Sequence, residues 1–120
     1  MANTFKVSTI ADVAVDSGTF STIYTVAGST TTVVLGLALC NKNAAARTVT
    51  VKITSDTAAR TGNNDAANEN VTLLNEVSVP GDTTLEVLAG QKYVLEATDV
   101  MTIGASVADI DATLSYMEIT

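Results

Sequence analysis

Apolar residues recur at every second position along most of this chain, and clusters of turn-forming residues interrupt them at intervals of roughly ten residues. Period two marks a strand with one buried face, because successive side chains leave a pleated backbone on opposite sides. The clearest case is Arg47–Ser55, where Val49, Val51 and Ile53 take one side and Thr48, Thr50, Lys52 and Thr54 the other. The same pattern predicts strands over residues 4–15 (with a break near Ala11), 20–26, 31–41, 71–79, 83–88, 92–96, 100–105 and 110–119. Turns fall at 27–30, 42–46 and 80–82, and helix is nearly absent. Many short strands at regular spacing predict an all-β fold, an antiparallel β-sandwich of about eight strands, with a jelly roll as one way of winding it. No internal repeat or change of composition divides residues 1–120, which are expected to form a single domain.

Two stretches depart from simple alternation. Thr31–Asn41 is apolar on both sides, with Leu35, Leu37 and Leu39 pointing one way and Val34, Gly36, Ala38 and Cys40 the other. One face of a lone antiparallel sandwich is normally polar, so the small side, Val34, Ala38 and Cys40, is a candidate subunit interface. Residues 56–70 have no periodicity and are rich in Asn, Asp, Thr, Ala and Gly, which reads as a long surface loop. Arg60, Asn63, Asn64, Asp65 and Asn68 make it a candidate interaction element, and Arg60, its only cation, suits a partner's carboxylate.

Composition sharpens the core. Hydrophobic residues are 47% of the chain but aromatic ones only 4%, so the core must be aliphatic. Leu35, Leu37, Leu39, Val49, Val51, Ile53, Leu85, Val87, Leu95 and Leu114 are expected inside. Tyr24, Tyr93 and Tyr116 are scattered over separate strands, which favours packed rings with bonded hydroxyls over a sugar-stacking platform. Cys40 is the only cysteine and cannot form an internal disulfide; it reads as a strand-interior thiol, with an intermolecular disulfide as its other use.

Charge and chemistry exclude several classes of function. Six Lys and Arg against thirteen Asp and Glu give a net charge of -7, the wrong sign for a phosphate backbone, so nucleic acid is not expected as a partner. No apolar run approaches the roughly 18 residues of a membrane span. The opening Met-Ala-Asn-Thr-Phe lacks a basic region followed by an apolar one, and synthesis and use without a secretory step are expected. There is no His, which removes the commonest general base. No phosphate-binding glycine motif and no nucleophile elbow occur, and the carboxylates are dispersed over turns and strand faces without a pairing signal. The chain is therefore read as no enzyme. Asn63, Asn64, Asp65, Asn68, Glu69 and Asn70 supply oxygen atoms but not the spacing of a calcium loop, so no metal and no cofactor are expected.

Three stretches resemble small virion structural proteins encoded by tailed bacteriophages, especially those of marine and cyanobacterial hosts. They are Met-Ala-Asn-Thr-Phe-Lys at 1–6, the hairpin Tyr-Thr-Val-Ala-Gly-Ser-Thr-Thr-Thr-Val-Val-Leu-Gly-Leu-Ala-Leu-Cys-Asn at 24–41, and the run from Leu85 through Glu-Val-Leu-Ala-Gly-Gln-Lys-Tyr-Val-Leu-Glu-Ala to the closing Leu-Ser-Tyr-Met-Glu-Ile at 114–119. The resemblance implies a non-enzymatic part of the particle. One placement is a capsid decoration or cement protein that binds the major capsid protein on the outer shell and stabilises it, often as a homo-oligomer and commonly a trimer. A neck, tail or fibre-associated structural protein is the other placement, and a glycan-binding module is the reading from a different class. The implied partners are the major capsid protein or other virion proteins, and the implied location is the virion, assembled in the host cytoplasm. The segment 56–70 is longer than the plain hairpin the resemblance implies, which leaves open whether it grips the particle or projects from it.

Overall fold

The computed structural model describes residues 2–55, 69–87 and 92–120. Among them are nine strands and no helix: β1 (Asn3–Ile10), β2 (Ser21–Thr25), β3 (Thr31–Asn41), β4 (Arg47–Ser55), β5 (Glu69–Val79), β6 (Thr84–Glu86), β7 (Tyr93–Leu95), β8 (Val100–Ala105) and β9 (Ile110–Ile119). The strands form two antiparallel sheets. Sheet A runs β1-β9-β3, with β6 and β7 both on the far side of β3, and sheet B runs β2-β8-β4-β5. Taking β6 and β7 as one interrupted strand, the first strand pairs with the last, the second with the next to last, and so inward to β4 with β5. That nested order is the winding of a jelly roll, and the expected antiparallel sandwich is the observed fold.

The sheets enclose a single apolar core. Leu37, Leu39, Leu95 and Leu114 fill it with Val49, Val51, Met101, Ile103 and Ile110, all fully or almost fully buried, while Ile53, Leu85 and Val87 pack at its margin. Tyr24 and Tyr116 are its two buried rings, stacked at a tilt with centroids 4.2 Å apart, and Tyr93 packs at the margin. The break expected near Ala11 is where the chain leaves sheet A, and Val13, fully buried, anchors the crossing by donating its N–H to the Ile110 carbonyl.

A β-bulge in β3 corrects the expected phase of that strand. Val34 pairs with Tyr116 and Gly36 with Ser115, so Leu35 is an extra residue with no partner across the ladder. Two residues opposite one shift the alternation by a step. Thr32 and Val34 face the core before the bulge, and Leu37, Leu39 and Asn41 face it after. Val34 is therefore a core residue and no part of an outer interface, and Leu35 points out of the core it was expected to fill.

One end of the sandwich is tied by buried polar contacts. The Asn41 side chain donates to the Ala45, Val79 and Pro80 carbonyls and accepts from the Asn43 N–H, joining the β3–β4 and β5–β6 turns. Gly81 lies so close to the neighbouring turn that a β-carbon there would stand 2.0 Å from the Ala44 carbonyl oxygen. Lys42 bridges Asp12 at 2.6 Å and Asp111 at 3.0 Å across the same end. The opposite end carries the Ala2–Thr120 backbone pair and the buried Asp99, whose carboxylate accepts from the Ser55 hydroxyl and the Glu96 N–H.

Candidate interaction surface

The outer face of sheet A is built from the residues that alternation turns away from the core. In β1 these are Asn3, Phe5, Val7 and Thr9; Ser8, between them, reaches inward to the Ile23 carbonyl and Ile10 packs on the core. Phe5 lies opposite Met117 of β9, Met117 opposite Val33 of β3, and Val33 opposite Val94 of β7. Directly paired residues share a face, so four apolar side chains form a row across the whole sheet. Phe5 is 71% exposed and Val94 63%, and Val7 at 60% and Leu35 at 37% widen the row. An outward sheet face is ordinarily polar, so a contiguous exposed apolar strip on one is the candidate interaction surface of this fold.

This strip is displaced from the interface expected in the sequence. Ala38 and Cys40 do lie half-buried on the outer side of β3, but their ladder neighbours are Glu86, Thr113, Thr84 and Asp111, so that half of the face is polar. Cys40 is a free, half-buried thiol rather than a core one. Val34 is absent from the face because of the bulge. Phe5, Val7, Val94 and Met117 were not singled out by sequence; the signal for β1 was there in its unbroken alternation, but only pairing with β9 reveals that its apolar set faces outward. Arg60, Asn63, Asn64, Asp65 and Asn68, the candidate interaction element, lie outside the described residues.

Inward of the strip, at the end where Ala2 meets Thr120, sits a polar cluster. The Tyr24 hydroxyl donates to Glu118 Oε2 at 2.6 Å and so accepts from Thr32 Oγ1 at 2.7 Å, while Lys6 Nζ pairs with Glu118 Oε1 at 2.7 Å. Bonds from Lys6 first and Tyr24 second hold the Glu118 carboxyl below the usual carboxylate range. Burial first, then the bond to Glu118, raises Tyr24, and the Glu118 bond raises Lys6. At the other end, the Asp12 N–H and then Lys42 lower Asp111. These groups stabilise one another in their ordinary charge states, which suits a structural tie and not proton transfer.

Sheet B has a shallower feature. An open depression of about 260 Å3 on its outer face is lined by Asp16, Phe20, Thr50, Lys52, Asn75 and Glu76. Phe20 presses on Gly104, where a β-carbon would stand 2.9 Å from its ring, and Lys52 Nζ lies over the ring, 4.8 Å from its centroid. The ring is thus engaged by the protein itself. Among the described residues no group of three or more His, Cys, Asp or Glu is gathered as a metal site would require. No protein-family model, no curated protein and no solved structure matches this chain.

Proposed function

We propose that this chain is a structural protein of a bacteriophage particle, a non-enzymatic decoration protein that stabilises the capsid by docking on its outer surface. The observation that carries the reading is the apolar row Phe5, Met117, Val33 and Val94, laid across one face of the sandwich. Such an exposed strip offers apolar area to bury against a partner, and a lattice repeats a weak contact many times over. A net charge of -7 sits more easily outside a shell than against packed DNA. Jelly rolls recur in viral capsid proteins and in lectins, an analogy of fold that adds to the resemblance of the three sequence stretches without replacing a site. The glycan-binding alternative has less to stand on, because Phe20 in the sheet B depression already carries Lys52 over its ring.

Purified particles provide the test. Mass spectrometry should recover the chain in many copies per particle, and cryo-electron microscopy should find the outer face of sheet A against the major capsid protein. Phe5→Glu with Val94→Lys should abolish attachment while leaving the circular dichroism spectrum of the free protein unchanged. Density at the neck, tail or fibre would move the same structural role to that assembly, and absence from particles would end the reading.

A further inference from the structure

We infer that β1 is an interface strand, by which two copies of this chain join edge to edge in antiparallel fashion and extend sheet A into one continuous sheet. Every open sheet has edges whose unpaired N–H and C=O groups invite another strand, and proteins guard them with short strands, bulges or charge. Three of the four edges here are guarded. Among the described residues, the β6/β7 edge consists of two strands of three residues each. The β2 edge has five residues and a register shift between Thr22 and Tyr24. The β5 edge carries two register shifts in its pairing with β4 and a left-handed Glu76, φ 50°.

The β1 edge has none of these devices. It pairs with β9 through eight consecutive residues without a shift, and it contains no proline and no acidic side chain. Its one lysine, the usual guard of an edge, is drawn back onto Glu118 of β9 at 2.7 Å.

The hydrogen-bonding phase shows which groups are offered. Ala2 and Thr120 exchange both backbone hydrogen bonds, so the register 3↔119 through 10↔112 makes Thr4, Lys6, Ser8 and Ile10 the residues bonded to β9. Asn3, Phe5, Val7 and Thr9 then point their N–H and C=O groups away from β9, at the free edge, and all four residues are exposed. Donors and acceptors alternate along that edge, which makes it self-complementary for an antiparallel two-fold pair. Registers centred on Phe5 or Val7 set Lys6 opposite Thr4 or Ser8 of the second copy and never opposite its own equivalent. The apolar row of one copy then runs on into that of the other, doubling the outer strip. A second copy is favoured over a foreign strand because one edge supplies both halves of the pairing. The inference rests on the edge alone and holds or fails independently of any place in a particle.

The test uses the full chain in solution. Sedimentation equilibrium at micromolar concentration should give a dimer. In hydrogen exchange, the amides of Asn3, Phe5, Val7 and Thr9 should slow about tenfold or more on going from dilute to concentrated protein, while those of Thr4, Lys6 and Ser8 are protected throughout. Val7→Pro removes an N–H that points away from β9 and bonds to none of the described residues, and it blocks the edge, so it should give a monomer. Thr9→Pro repeats the test should Val7→Pro not fold. A monomer across the concentration range, or an oligomer of any size in which those four amides exchange freely, overturns the proposal.

Discussion

At the scale of single residues, the polar side chains inside the sandwich do as much to define it as the leucines. Asn41 is almost fully buried, and its amide satisfies carbonyls of the two turns it joins. Asn41→Ala strands several of these groups without water, and the expected loss is about 3 kcal/mol in urea unfolding. The ionisable groups predict how stability depends on pH. Glu118 and Asp111 have lowered values in the folded protein, so their contribution is present above the unfolded carboxylate range near pH 4 and is lost as pH falls through the folded values. Tyr24, Tyr116, Lys6 and Lys42 are raised, so theirs is complete below about pH 10 and is lost as pH rises through the folded values. The lysines are exposed and screened, which leaves the buried tyrosines the larger share of the alkaline effect. The melting temperature should thus be flat between roughly pH 5 and 9 and fall on both sides, and Glu118→Gln should soften the acid limb.

At the scale of elements, the bulge in β3 decides what each leucine is worth. Leu37→Ala and Leu39→Ala should each cost roughly 2–5 kcal/mol, whereas Leu35→Ala, on the outer side, should cost less than about 1 kcal/mol. Deleting Leu35 outright removes the extra residue and keeps both inward sets in phase, so the fold should survive by circular dichroism. Deleting Ala38 turns Leu39 and Asn41 outward and should unfold the protein. Most of the strand pattern was legible in the sequence: the bounds of β4, β8 and β9 follow from period-two alternation and the turns that flank them, and those of β3 from its flanking turns alone. The bulge was not, because a run as uniformly apolar as Val-Val-Leu-Gly-Leu-Ala-Leu carries no contrast from which phase can be read. The outer strip was hidden for a related reason. Phe5, Met117, Val33 and Val94 lie far apart in the chain and become neighbours only through pairing.

At the scale of the whole molecule, nearly every pairing joins distant parts of the chain, as β1 with β9 and β2 with β8. Loop closure must precede the contacts that reward it, so refolding from urea should be slow for a chain this size, in the range of milliseconds to seconds. Stopped-flow fluorescence of the Tyr24–Tyr116 pair offers a direct probe, since the two rings come together only when β2 meets β9. The nested order also has a consequence in time. The strand that separates β1 from β3 is β9, the last of the nine to be made, and β8 stands likewise between β2 and β4. A ribosome adding about 5–20 residues per second leaves about 5–20 seconds between the synthesis of β1 and that of β9. Throughout that interval Phe5 and Val7 sit on a strand whose one neighbour in sheet A does not yet exist. Pausing during translation therefore lets β3 pair with β6 and β7 but leaves β1 and its exposed Phe5 and Val7 unpaired until the final strand has emerged.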